Sequence, residues 1–310
     1  MASSEMNSDT AAAMLEGLGR RRMMRRAAAG VAGAAVAGVA GVGGMTLQPT
    51  PAMAAAAANT PTATDLAILN FALNLEYLEA EFYLRAVTGS GLTASMTSGT
   101  GTAGTVNGPT GSAALVPFQN TAVAYWAQRI ANDELAHVSF LRYALGANAV
   151  AEPNIDLVNS FNTLAQAAGL GNSFNPFASE TDFLVGAFIF EDVGVTAYAG
   201  AAASLSNFLV TYAAQICAVE AYHAGMIRTR LSEIGGQQVT NQIASLRSSL
   251  SNVLDFGTNA RGNPFNFVND DDNGLVQTRT AAQVLAVVYG GGSSSGLFFP
   301  TGVNGTVTTA

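Results

Sequence analysis

Two histidines occur in the 310-residue chain, and each lies three residues after a glutamate. The pairs are Glu134 with His137 and Glu220 with His223. Since the chain has few glutamates, this spacing before both histidines would arise by chance about once in eight hundred sequences. Residues three apart on a helix share a face, so each ExxH pair presents a carboxylate and an imidazole toward one point. Those ligand types suit iron, manganese or zinc.

Two further glutamates are each followed by a tyrosine at the same distance along the chain. Glu76 precedes Tyr83 by seven residues, and Glu191 precedes Tyr198 by the same separation, which is two helical turns. The order of glutamate, tyrosine and ExxH therefore occurs twice along the chain, and the two ExxH segments align without gaps. This repeat predicts a bundle with two metal ions in its core, related by an approximate two-fold axis.

The segments around Glu191 and Glu220 are apolar, so ionised carboxylates there would cost several kcal/mol unless they are compensated. The thirteen basic residues of the chain are all arginine, and few of them are near the four glutamates in sequence. Two divalent ions would neutralise four carboxylates. The alternative is a metal-free core in which the glutamates bond each other, Arg129 or Arg142, but it leaves the ExxH spacing unexplained.

Four long helices are needed to position these residues. Apolar stripes, capping residues and glycines predict long helices over 64–88, 118–145, 180–205 and 207–234, and shorter ones over 155–168, 237–254 and 281–289. No stretch before residue 280 alternates with period two, so we expect no sheet. The predicted fold class is all-α: a four-helix bundle with additional C-terminal helices and an irregular tail.

The predicted domain organisation places the bundle at residues 64–254, after a linker at 55–63, with an extension at 255–310 that packs on it. Residues 89–114 consist almost entirely of Gly, Ser, Thr, Ala and Asn. We expect this segment to be a flexible insertion that is too polar to pack.

A glutamate on the first and third helices and ExxH on the second and fourth resemble the di-metal carboxylate pattern of ferritin-like bundles. The segment LNFALNLEYLEAEFY at 69–83 is similar to the opening helix of the ferritin-like domain proteins that include desiccation-related proteins. The segments TAAQVLAVVY at 280–289 and FFPTGVN at 298–304 resemble that family's tail. The resemblance covers about residues 64–304; it is specific for the metal pattern but does not fix the reaction.

The resemblance implies two divalent ions, iron being favoured over manganese, with Glu134 and Glu220 as bridging ligands. The terminal ligands it implies are Glu76 and His137 for one ion, and Glu191 and His223 for the other.

The resemblance also implies partners for the two histidines. Asp133 precedes the first ExxH glutamate and is expected to hydrogen-bond His223. Val219 stands at the corresponding place in the second ExxH segment, so His137 needs another partner, for which Asp192 is the candidate. The two ion sites therefore differ in the partner expected for their histidine.

Three residues of the first helix stand outside the implied ligand set. Glu79 is one turn from Glu76, so we leave it open as an additional ligand. Tyr83, like Tyr198, lies on the ligand face, where it could support a carboxylate or simply pack. Glu81 is expected to point elsewhere and to be solvated.

The first 54 residues have the composition of an export signal. Five arginines lie within 20–26, an uncharged stretch rich in Ala, Gly and Val follows at 27–47, and Ala52-Met53-Ala54 offers a signal-peptidase site. The arginine region resembles the twin-arginine signal. We expect a cleaved signal and a periplasmic or extracellular protein without a stable membrane span. The alternative is a retained anchor, although Gly and Ala drive insertion weakly.

The charge and the site together define the expected function. A net charge of −8 argues against nucleic acid as a partner. We expect the two ions to react with O2 or peroxide in stress protection, and ferroxidase, catalase and peroxidase chemistry all fit. The alternative is a non-enzymatic stress, desiccation-related or surface protein with a structural metal site or none. A homo-oligomer is left open.

Overall fold

The computed structural model describes residues 60–310 of the chain. The predicted export signal and most of the predicted linker therefore lie outside the described residues.

Eight α-helices are present in the described part of the chain. In chain order they are α1 (Ala63–Thr88), α2 (Ala94–Thr97), α3 (Thr121–Leu145), α4 (Asn159–Ala167), α5 (Glu180–Ala201), α6 (Asn207–Glu233), α7 (Gln237–Ser251) and α8 (Ala281–Val288). Single turns of 3-10 helix lie at Gly111–Ala113, Gly146–Asn148 and Ala202–Ser204. The predicted all-α class is confirmed. Most predicted helix ends are within about three residues of those observed, a normal uncertainty for helix termini.

The four long helices form two antiparallel pairs. α1 packs along α3, α5 packs along α6, and α1 contacts α5 between the pairs. Side-chain caps fix the starts: Thr62 and Asp65 form a capping box at α1, and Asn120 caps α3. The left-handed conformation of Gly89 then ends α1.

α1 and α5 are buried on all sides, whereas α3 and α6 each bury one face. By length and composition, the segment Glu180–Ser204 is the one helix in residues 60–310 that is apolar enough to cross a membrane. However, 89 % of its apolar window is buried inside the protein. The apolar sequence of α5 therefore reflects its place in the core of the bundle.

The insertion at 89–114 packs against the protein, so the expectation that it would not is wrong. Thr100 donates from its backbone N–H to Ala149 O at 2.9 Å and accepts from Ala151 N at 2.8 Å. Further along, strand β1 (Val106–Asn107) pairs in parallel with strand β2 (Ile155–Asp156). This two-residue ladder also corrects the expectation of no sheet. Backbone hydrogen bonds attach the segment, and its few apolar side chains, Leu92, Met96 and Val106, pack against the core.

The C-terminal helices α7 and α8 cover α5 and are joined to the bundle by a buried ionic network. Asp192 accepts from Arg228 at 2.7 Å and from Arg247 at 2.9 Å. Asp255 accepts from Arg247 at 2.9 Å and from Arg279 at 2.7 Å. Buried charges are costly unless they are paired and hydrogen-bonded, so these contacts link the outer layer to α5 and α6.

Candidate metal centre

The structure brings the six predicted ligands together in the core of the bundle, and none of them is more than 7 % exposed. They form two groups of four residues. In each group, the candidate ligand atoms are all less than 4.8 Å apart. Both groups contain Glu134 and Glu220. The first group is completed by Glu76 and His137, and the second by Glu191 and His223.

The first group surrounds the Nδ1 atom of His137. This atom lies 3.3 Å from Glu76 Oε2, 3.1 Å from Glu134 Oε2 and 3.4 Å from Glu220 Oε1. One helical turn of α3 places the imidazole and the Glu134 carboxylate on the same face. The other two carboxylates come from α1 and α6, so three helices contribute to this group.

The second group surrounds the Nδ1 atom of His223, which lies 3.2 Å from Glu134 Oε1 and 3.3 Å from Glu191 Oε2. The opposite ring nitrogen, Nε2, is 3.2 Å from Asp133 Oδ2. Asp133 also accepts a hydrogen bond from Arg129 at 2.8 Å. The predicted contact between Asp133 and His223 is therefore present, and it orients the ring with Nδ1 toward the carboxylates.

The two tyrosines cross between the halves of the bundle. Tyr83 on α1 donates a hydrogen bond to Glu191 Oε1 on α5, and Tyr198 on α5 donates one to Glu76 Oε1 on α1. Each tyrosine thus fixes one oxygen of a carboxylate and leaves the other oxygen, Oε2, facing a histidine. The repeated spacing in the sequence corresponds to a reciprocal pair of contacts.

Asp192 does not approach His137, so that expectation is wrong. Its carboxylate is held by Arg228 and Arg247, which lie on the side of α5 that faces the C-terminal layer. Within residues 60–310, all ion-pair contacts of His137 are made by Nδ1, and Nε2 has no carboxylate partner. The two histidines consequently have different surroundings.

Glu79 is buried next to the centre but belongs to neither group of four. A Cβ atom on Gly194 would lie 2.4 Å from Glu220 Oε2 and 3.5 Å from Glu79 Oε1, so both carboxylates lie against this glycine. Glu81 is also buried, contrary to the expectation that it is solvated. It accepts hydrogen bonds from Arg85 at 2.8 Å and from the Leu92 N–H at 2.6 Å.

A family model described as "Ferritin-like domain" matches residues 64–233, a segment that contains all six clustered residues. The chain belongs to the ferritin-like domain family. No solved structure matches it.

Two curated proteins are similar to this ferritin-like chain. One is "Desiccation-related protein PCC13-62" from Craterostigma plantagineum, which is 30 % identical over 218 residues. That alignment covers 63 % of this chain and 65 % of the relative, slightly less than two thirds of its length. The other is "Ferritin-like catalase Nec2" from Nesocodon mauritianus, 26 % identical over 267 residues, which are 78 % of this chain and 84 % of the relative.

The electrostatics of the ferritin-like centre favour cations. Burial, opposed by His137, raises the pKa of Glu76 to about 7. Burial and the charge of Glu134 raise the pKa of Glu220 well above its ordinary value. The facing carboxylates outweigh burial and raise the pKa values of His137 and His223. Carboxylates packed this closely resist ionisation unless a positive charge lies among them.

The unsatisfied atoms of this ferritin-like core test whether a pair of metal ions fits. Six buried atoms of the two groups have no hydrogen-bond partner: Glu76 Oε2, Glu134 Oε1, Glu191 Oε2, both carboxylate oxygens of Glu220, and His223 Nδ1. Leaving such atoms unpaired costs about 1–3 kcal/mol each. All six belong to oxygen and imidazole ligands that suit iron or manganese, so the donor set fits two divalent ions.

Sequence reasoning missed Gly194 and the arginine partners of Asp192. Gly194 did leave a signal, because a glycine within an apolar helix commonly marks a close approach of another group. The arginines left none, since Arg228 and Arg247 lie far from Asp192 along the chain.

Proposed function

We propose that this chain is an exported ferritin-like protein that binds a dinuclear iron or manganese centre and uses it for oxidation chemistry with O2 or peroxide in stress protection. Iron is favoured over manganese. The observation that carries the proposal is the pair of four-residue groups that share Glu134 and Glu220 and direct unpaired buried atoms inward.

The proposed roles follow the geometry. Glu134 and Glu220 lie between the two groups and would bridge the ions, while Glu76 and His137 would complete one site and Glu191 and His223 the other. A pair of such ions supplies two electrons to O2 or exchanges them with peroxide.

The neighbouring side chains keep the donor atoms in place. Tyr83 and Tyr198 each bind one oxygen of a terminal carboxylate. Asp133 holds Nε2 of His223, which leaves Nδ1 free to bind a metal ion. The buried walls of α1 and α5 keep bulk water away from these groups. Glu79 is proposed as a further buried carboxylate that could bind one ion directly.

Metal stoichiometry tests the ligand assignment. We expect about two ions per wild-type chain, about one for His137→Ala and fewer for Glu134→Ala, because a bridging carboxylate serves both ions. Added Fe(II) or Mn(II) should raise the melting temperature of the wild type but not that of Glu134→Ala. A wild-type stoichiometry near zero after careful reconstitution would refute the centre.

The relatives differ in what their names suggest, and both possibilities can be compared in one assay. The name of one relative supports peroxide chemistry, while that of the other supports the alternative of a non-enzymatic desiccation-related protein whose metal is structural or absent. The assay is oxygen release from hydrogen peroxide by the metal-loaded chain. We expect turnover in the wild type, loss in Glu220→Ala, and no loss in the control Glu233→Ala, a surface glutamate of the same helix. Metal binding without turnover of peroxide or oxidation of Fe(II) by O2 would favour the non-enzymatic alternative.

We also propose that the chain is exported through a twin-arginine route, on the sequence of residues 1–54 alone. Replacing Arg20, Arg21 and Arg22 by lysine should leave the precursor inside the cell, which fractionation would detect. Undiminished export of this variant would exclude the route.

A further inference from the structure

An apolar cavity of about 100 Å³ lies between the bundle and the C-terminal layer. Helices α1, α4, α5, α7 and α8 all contribute to its wall. The lining consists mainly of leucine, isoleucine, valine and phenylalanine side chains, and the polar side chains among the lining residues are Glu79, Thr163 and Arg247. Arg247 is engaged with Asp192 and Asp255, so it offers little to a ligand in the cavity.

The lining of the cavity includes both exposed residues and residues beside the candidate metal centre. Thr163 and Ala167 on α4 are exposed and line its outer part. Glu79 and Gly194 line its inner part, and Gly194 is the residue against which Glu220 packs. A molecule at the inner end would therefore lie beside a proposed bridging carboxylate.

The size and the lining select the kind of molecule that fits. An engineered apolar cavity of about 150 Å³ stays dry and binds benzene or xenon. A cavity of about two thirds of that volume suits a small apolar molecule such as dioxygen or xenon. Hydrogen peroxide would lose hydrogen bonds to water along such a wall without replacing them, and each loss costs about 1–3 kcal/mol.

We propose that this cavity is a binding site and access route for dioxygen, which reaches the metal centre between Glu79 and Gly194. The proposal rests on the proposed function for the reaction that follows. The site itself requires only the packing of the described residues. The cavity would also discriminate between the two oxidants, since it admits dioxygen whereas hydrogen peroxide would need a different, polar path.

Xenon provides a test that does not depend on activity. Crystals of the chain under xenon pressure should show a xenon atom in the cavity. Val287→Phe, which fills the wall from α8, should abolish this atom, whereas the exposed control Ala282→Phe on the same helix should retain it. Absence of xenon from the wild-type cavity would overturn the proposal. Xenon in the cavity of a chain that binds no metal would instead overturn the proposed function and leave the binding site standing.

A kinetic comparison tests the route. In the assay, dioxygen takes one electron from each of two bound Fe(II) ions and two protons from water, and leaves as hydrogen peroxide. Ala167→Trp at the exposed mouth should slow this oxidation about tenfold, equivalent to a barrier about 1.4 kcal/mol higher. The reaction with added hydrogen peroxide should keep its wild-type rate, and so should both reactions in the control Gln166→Trp. Wild-type oxidation by dioxygen in both Ala167→Trp and Val287→Phe would refute the route.

Discussion

Gly194→Ala should disable the metal centre although Gly194 is not itself a proposed ligand. The new methyl carbon would lie 2.4 Å from Glu220 Oε2, whereas ordinary contact begins at 3.4 Å. The carboxylate must therefore retreat by about 1 Å, several times the roughly 0.2 Å tolerance of a metal–ligand bond. Because Glu220 belongs to both groups of four, both ions should bind more weakly, by about 10–100-fold each.

The same substitution has an opposite effect on the helix, which makes the experiment decisive. Replacing glycine by alanine inside a helix stabilises the helix by about 0.5–1 kcal/mol. Gly225→Ala on α6 is the matched control, because its Cβ would meet no atom closer than 3.8 Å. We expect Gly225→Ala to be slightly more stable and to bind two ions as the wild type does.

The assay is titration of each variant with Fe(II) or Mn(II), with ions per chain and melting temperature as readouts. Gly194→Ala should lose the metal-induced rise in melting temperature, while Gly225→Ala should keep it. If Gly194→Ala binds two ions with wild-type affinity, the assignment of Glu220 as a shared ligand is wrong.

Three further predictions concern a tyrosine at the centre, the buried Glu152 and the ionic network of the C-terminal layer. Tyr83→Phe removes the hydrogen bond to Glu191 and should weaken metal binding about 10–100-fold in a titration; unchanged affinity would contradict the positioning role. Burial and a neighbouring carboxylate raise the pKa of Glu152 to about 8, so the folded chain retains a proton that the unfolded chain has lost above about pH 4.5. Its free energy of unfolding should then fall by at most about 1.4 kcal/mol per pH unit up to pH 8, and urea unfolding should show a flatter profile in Glu152→Gln. Asp255→Ala leaves the buried Arg279 without its carboxylate partner and Arg247 with Asp192 alone, and should cost about 3–5 kcal/mol in urea unfolding, whereas the exposed Asp272→Ala should change little.

The positions of the clustered residues could be anticipated from sequence because they depend on local periodicity. A separation of three residues places Glu134 and His137 on one face of any helix, whatever that helix packs against. The seven-residue spacing between Glu76 and Tyr83 likewise survives in the structure as two turns of α1. Sequence alone did not reveal that each tyrosine reaches the glutamate of the opposite pair, which depends on how α1 and α5 cross.

The errors arose where a long-range partner decides the environment of a residue. Glu81 was expected at the surface, but it is buried. Its carboxylate is compensated there by hydrogen bonds from Arg85 and from a backbone N–H of the insertion. The insertion has only a few large apolar residues, Leu92, Met96 and Val106, without a regular spacing, and its attachment through backbone hydrogen bonds leaves no side-chain pattern to detect. Asp192 lies next to Glu191 in the chain, yet adjacent helical residues point in different directions, toward the arginine network and toward the metal centre.

The crossed tyrosine contacts give the centre the geometry of a symmetric dimer contained in one polypeptide. Two identical hairpins, each with one glutamate, one tyrosine and one ExxH pair, would build the same arrangement around a true dyad. In such a symmetric dimer, however, every substitution occurs in both halves. Joining the halves in one chain lifts that restriction, and the halves do differ: Asp133 precedes the first ExxH glutamate and contacts His223, whereas Val219 stands at the corresponding position of the second. Such a fused pair can adjust the environment of one histidine while the other keeps its own.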